Sequence, residues 1–191
     1  MSRAAGKLVM HRRSSGVAIA TLDAFFLMRC FGDVLPEDIN STLDCVDILK
    51  AYRPEGSASI IVIDPTSTFP SEATRRAALE ATRKTSANTA AQLMVVLGDG
   101  FWASAIRGIL MTIGSLSQTT YTRKVLRYEE EAVDSAIEAI GESSQKYRTV
   151  LLSSLAQLKS AAPPSSSNSP PTSKTPPVGS KAPPSSKRRA G

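Results

Sequence analysis

From Gly16 to Ile140 the chain alternates short apolar, β-rich runs with longer stretches of helical periodicity. Each helical stretch opens on a polar or Pro-containing turn. In order, these segments read as a hairpin, a helix, a strand, a helix, a strand, a helix, a short strand and a helix. Strands separated by helices join through crossovers, so neighbours run parallel and the helices cover the sheet faces. The expected fold is α/β: a mixed, mostly parallel sheet with helices packed against it, plus a disordered C-terminal tail.

Val17 to Thr21 and Phe25 to Phe31, separated by Leu22-Asp23-Ala24, form the predicted antiparallel hairpin. Leu35-Pro36-Glu37-Asp38 opens a helix, because Pro suits a first turn and acids favour the positive dipole end. Ile39, Leu43, Val46, Leu49 and Ala51 share its apolar face, and Pro54 with Gly56 stops it. Ser59 to Asp64 is a continuous apolar run, as a strand covered on both faces requires. After the loop at 65–70, Ser71 is a good N-cap for a helix to about Ser86. Gln92 to Leu97 is a second central strand, and Gly98-Asp99-Gly100 turns into a helix over Phe101 to Leu116. Val125 to Tyr128 reads as a short edge strand and Glu129 to Ile140 as a helix. Tyr147, Leu151, Leu155 and Leu158 then recur at helical spacing.

The formal charge of +6 is carried by the ends. Nine of the 23 basic residues are Arg3, Lys7, Arg12, Arg13, Lys174, Lys181, Lys187, Arg188 and Arg189. Residues 14–159 therefore hold 14 bases against all 17 acids and sit near −3, which argues against a basic nucleic-acid-reading domain. The expected organisation is a flexible basic arm over 1–13, an α/β domain over 14–141, an amphipathic helix over 142–160 and a disordered Pro/Ser/Lys-rich tail over 161–191. That tail has almost no bulky apolar residue to offset its ordering entropy. Cys30 and Cys45 are the only cysteines and read as small buried apolar residues. Asp23 and Arg29 interrupt the first apolar run, so it reads as a strand pair and not as a signal peptide. No stretch is long and uncharged enough to span a bilayer. The expected compartment is the cytoplasm.

Ile60-Ile61-Val62-Ile63-Asp64, Leu93-Met94-Val95-Val96-Leu97-Gly98 and the helix with Ala103-Ser104-Ala105-Ile106-Arg107-Gly108 stand in an order that resembles the STAS fold over roughly residues 16–140. STAS domains include bacterial anti-sigma-factor antagonists. The closer likeness is to STAS-like bacterial proteins of mostly unknown role, whose fold is also similar to lipid-binding CRAL-TRIO domains. In the antagonists, a phosphorylatable Ser follows an Asp at the helix start after the central strand. The matching segment is Phe69-Pro70-Ser71-Glu72-Ala73, with Pro70 in the Asp position. The resemblance thus marks Ser71 as a phosphorylation site, which a helix N-terminus would favour electrostatically; the residues themselves read as a plain N-cap.

No nucleophile–base pair stands out, and the expectation is no enzyme, no catalytic residue, no metal and no cofactor. The sole His, His11, lies in the arm, away from any triad or zinc set. Asp99 would repel phosphate from the Gly98-Asp99-Gly100 turn and reads as a helix cap. Of Phe101 and Trp102, one packs inward and the other lies on the surface beside the loop after Asp64. Arg75, Arg76, Arg83 and Lys84 read as a solvated face paired to Glu72 and Glu80; convergence of Arg76, Arg83 and Arg107 would make an anionic site. Glu129-Glu130-Glu131 is dipole complementarity.

Two functions follow. The first is a non-enzymatic STAS-like interaction or regulatory module of the bacterial cytosol. It would bind a protein partner through Asp64, Thr66, Ser67, Thr68, Ser71, Asp99 and Trp102. The alternative is a domain binding a small ligand, lipid or anion, beside the Asp64 and Gly98 loops. Ile106, Ile109, Leu110 and Ile113 would line its pocket, and the basic tail would weakly contact nucleic acid or anionic membrane. The helix after Gly141 would form a homodimer or pack back on the domain.

Overall fold

The computed structural model describes residues 6–117, 119–141 and 145–160, with side chains at 145 and 146 left aside. The tail expected over 161–191 lies outside the described residues. Six strands, β1 (Val9–Arg13), β2 (Val17–Leu22), β3 (Phe25–Cys30), β4 (Ser57–Ile63), β5 (Thr89–Val96) and β6 (Thr122–Leu126), form one sheet in chain order. The first two pairings are antiparallel; the next three are parallel. Helices α1 (Pro36–Asn40) and α2 (Cys45–Tyr52) join β3 to β4, α3 (Glu72–Thr85) joins β4 to β5, and α4 (Gly100–Ser117) joins β5 to β6. Helices α5 (Glu129–Ala139) and α6 (Gln145–Ser160) follow. The fold is the α/β one that the alternation implies.

Because the parallel strands never reverse their order, right-handed crossovers carry all four connecting helices to one face. On that face Val17, Ile19, Phe26, Met28 and Cys30 meet Cys45 and Leu49, and Val96 meets Ala103 and Ile106. On the other face Leu22, Phe25, Leu27, Ile60 and Leu93 pack with Val133 of α5 and with Leu151, Leu155 and Leu158 of α6. The apolar stripe of α6 is therefore buried within the domain itself. The hairpin turn is fastened there too. Asp23 takes φ +51°, and its carboxylate accepts the Gly6 N–H at 2.7 Å and the Tyr147 hydroxyl at 3.1 Å.

Three local expectations change. Over Val9–Arg13 the arm is an edge strand that pairs with β2 around a bulge at His11. Arg12 Nε anchors it at 2.6 Å from Asp38 Oδ1, whose carboxylate is 1% exposed, and His11 Nε2 lies 2.7 Å from Thr21 Oγ1. The single helix expected after Leu35 is two, with Ala51 exposed. Ser41 and Thr42 hydroxyls donate to the carbonyls of Asp38 and Ile39, both at 2.7 Å, and so compete with the helical ladder. The last strand begins at Thr122, and Tyr128 is the α5 N-cap residue instead of a strand residue.

Candidate functional site

Helix α3 turns Thr74, Ala78, Ala81, Thr82 and Thr85 toward the sheet, side chains too short to fill the gap beneath them. The helix packs chiefly along α1 and α4, and a cavity of about 180 Å³ remains under it. Met28, Cys30, Ile61, Ile63 and Met94 form its floor; Ile39, Val46 and Leu49 close one side. Ile106, Ile109, Leu110 and Ile113 of α4 close the other, so the stripe expected to line a pocket does line one. The lining runs the whole of β4 from Ser57 to Ile63, roughly 20 Å at about 3.3 Å per residue. For scale, an apolar protein cavity of about 150 Å³ takes benzene.

The two ends of this space differ. Strand register sets Phe26, Ser59, Gln92 and Arg123 in one row across the sheet, and all four line the cavity. The next row, Met28, Ile61 and Met94, is wholly apolar. The end where the parallel strands begin is thus polar, and an apolar channel leads from it toward Ser67 and Thr68. Arg75 and Arg123 are the charged side chains of the lining, and no acid accompanies them.

Arg123 has few protein partners. Its Nε and Nη1 are buried with no hydrogen-bond partner among the described residues, and Nη2 has only Met94 Sδ, a weak acceptor, at 3.4 Å. Burial pushes the Arg123 pKa down, and Tyr121 acts in the opposite sense. The Tyr121 hydroxyl donates to Gln92 Oε1 at 3.3 Å. Buried Ser67 Oγ, at the far end, is likewise without a partner among the described residues.

The residues singled out from the sequence are dispersed by the fold. Ser67 and Thr68 reach the cavity rim. Asp64 faces the opposite side of the sheet, where it accepts a two-point hydrogen bond from Arg29 at 2.8 and 2.7 Å. Arg29, 1% exposed, also donates to Glu129 Oε1 at 2.8 Å. Burial alone would lower its pKa, but the two carboxylates outweigh that and hold it raised. The Thr66 hydroxyl donates to the Phe31 carbonyl at 2.8 Å, and Thr68 to Asp33 at 3.1 Å. Ser71 Oγ accepts the Thr74 N–H at 3.1 Å as the α3 cap. Asp99 is exposed. Trp102 turns inward and its indole N–H donates to the Ser67 carbonyl at 3.1 Å, while Phe101 is 86% exposed.

The arginines do not converge. Arg76 pairs with Glu72, Arg83 reaches the Leu116 carbonyl at 3.3 Å, and Arg107 bonds the carbonyls of Val96 and Gly98 at 3.0 and 3.1 Å. Cys30 and Cys45 are free and buried. Burial pushes the Cys30 thiol up to about 12 and the Cys45 thiol to about 11, with nearby carboxylates adding to both. Neither is a thiolate at neutral pH.

The cavity coincides only in part with the ligand site expected beside the Asp64 and Gly98 loops: Ser67, Thr68 and Pro70 of the first loop line it, and Gly98, Asp99 and Gly100 do not. In open α/β sheets a crevice opens past the strand ends where strand order reverses, and this sheet has no such reversal. Ser59, Gln92 and Arg123 escaped the sequence reading. Period-two alternation from Ile61 and Met94 marks Ser59 and Gln92 as their same-face neighbours. Arg123 carried no such signal, because the expected strand began beyond it.

No family model and no curated protein matches this chain. Among solved structures, an uncharacterized protein of the DUF3478 family from Shewanella loihica PV-4 is 14% identical with a TM-score of 0.41. The match covers 71% of this chain and 98% of that one. That protein is described as having a SpoIIAA-like fold, which is of the STAS-like class that the sequence resembles. Among the described residues, no helix is long and apolar enough to cross a membrane.

Proposed function

We propose that this domain is a non-catalytic binding module that holds a slender, largely apolar small molecule between its sheet and α1–α4. The observation that carries this reading is the cavity under α3, apolar along most of its length and walled by four parallel strands and four helices. A domain of this size with one close-packed sheet face has no structural need for a hollow second face, because interiors normally pack at crystal-like density. Concave, mostly apolar pockets with a few convergent polar groups are the usual form of small-molecule sites.

Thermal unfolding against a panel of long-chain apolar ligands tests it. A ligand at a hundredfold excess over its Kd adds about 2.7 kcal/mol, a Tm rise of roughly 5–10 °C for a chain this long. Ala81→Leu, which extends a side chain into the cavity, is expected to abolish the rise. A flat panel sinks the proposal.

A second reading, a protein-interaction or regulatory module, draws support from exposed Phe69 and Phe101, which flank the Ser67–Trp102 hydrogen bond. Under it, Phe101→Ser lowers partner capture at unchanged Tm; equal capture by variant and native protein removes this surface.

A further inference from the structure

We infer that the occupant is a single-chain amphiphile with an anionic oxygen head, seated with its head at Arg123 and its tail along Ile61 and Met94 toward Ile63. This rests on the ligand-binding reading above and assigns the chemistry of that same site.

The charge balance of the lining is the first argument. Its charged side chains are arginines, with no acid beside them in the lining, and the buried Nε and Nη1 of Arg123 have given up water without gaining an acceptor among the described residues, which is costly unless something anionic pairs with them. Arg29 shows what this protein does with a buried arginine when a structural pair is the purpose: three of its N–H groups meet two carboxylates. Arg123 has two buried donor atoms aimed at no acceptor among the described residues. Carboxylate and phosphate oxygens are the acceptors that a guanidinium binds best.

The second argument is the space made for the guanidinium. A Cβ at Gly114, inside α4, would come within 3.2 Å of Arg123 Nη1 and 3.3 Å of its Cζ. Glycine inside a helix is unfavourable relative to alanine, so α4 carries a weak residue at the position against which the charged plane rests. The third argument is polarity. Ser59 and Gln92 lie in the Arg123 row and offer a hydroxyl and an amide to a head group. The adjoining row holds only apolar side chains. A free inorganic anion would satisfy the head end and leave the apolar channel unused, whereas an alcohol or alkane would leave the charge of Arg123 without a counter-charge.

Titration calorimetry on the full chain with lauric acid, lauryl phosphate, lauryl alcohol and inorganic phosphate tests the assignment. The expected result is saturable binding of the acid or the phosphate ester, about tenfold or more tighter than the alcohol, with inorganic phosphate too weak to measure. Arg123→Met is expected to remove that preference while keeping alcohol binding, and Arg123→Lys to restore part of it. Gly114→Ala is expected to weaken the acid more than the alcohol. Equal binding of acid, ester and alcohol by the native chain overturns the head assignment and leaves the apolar-ligand reading intact. Tight binding of inorganic phosphate overturns the amphiphile. Binding of none of the four removes both readings. The acid-against-alcohol comparison on native protein decides the matter even where a variant fails to fold.

Discussion

The two faces of the sheet come from the same strands, yet along its middle one is close-packed and the other is hollow beneath α3. Toward α5 and α6, Ala18, Ala20, Ala58 and Ala91 of the strands and Ala132 and Ala136 of α5 let backbones approach closely. Leu22, Leu27, Ile60, Leu93, Leu151 and Leu155 fill what remains, each fully buried. Toward α3, Ile61 and Ile63 stay partly exposed to the space beneath the helix, because the helix answers them with Thr and Ala. Two arginines repeat the contrast. Arg29, on the solid face, is paired with Asp64 and Glu129; Arg123, on the hollow face, leaves two buried donor atoms unmatched among the described residues. Alternation along a strand assigns residues to faces, but the side chains of the opposing helix decide whether a face becomes core or container.

The largest expected effect is on the solid face. Arg29→Met leaves Asp64 and Glu129 as neighbouring anions without their cation, and breaking a buried pair in this way costs about 3–5 kcal/mol. Urea denaturation measures it; a loss below about 1 kcal/mol would mean that the network contributes little to stability. Adjacent residues sharpen the contrast further. Ile60→Ala opens a void in close-packed surroundings and is expected to cost about 2–5 kcal/mol. Ile61→Ala widens a space already present and is expected to cost less than about 2 kcal/mol, because little new cavity wall is created. Equal losses would show that the two faces are packed alike. The smallest effect comes from filling. Ala136→Leu on the solid face overpacks it at about 1–3 kcal/mol, whereas Ala81→Leu under α3 is expected to cost less than about 1 kcal/mol, because the added carbons enter space already present. A loss at Ala81 as large as that at Ala136 would argue against usable room there.

Much of the architecture was legible because it is written in short-range signals. Alternation of apolar runs and helical periods located the strands β2 to β5 and the helices α3 to α6 within a few residues. The Ser71 cap and the Leu22-Asp23-Ala24 turn are local devices that act through their own backbone. Other features depend on partners remote in the chain. Strand β1 is held by pairing with β2 and by Arg12 reaching Asp38, so a basic segment that reads as a loose arm becomes part of the sheet. Trp102 and Phe101 are adjacent in sequence, and the Ser67 carbonyl together with the Val96, Ala103 and Ile106 cluster holds Trp102 inward. Asp64 and Arg29 stand 35 residues apart, so no local pattern marks them as a pair.

The sequence by itself determined the class of fold, the order of its elements and the residues facing each side of the strands, since periods of two and 3.6 residues follow from local backbone geometry. It also marked α6 as amphipathic, but not where its apolar stripe would go. The tertiary structure alone decided that strand order runs without reversal, which sends α1 to α4 to one face. It alone brought Arg123, Gln92 and Ser59 into one row beneath a helix too small-chained to cover them. Those outcomes depend on strand register and on the distance between layers, and both are set by contacts between segments that no local pattern specifies.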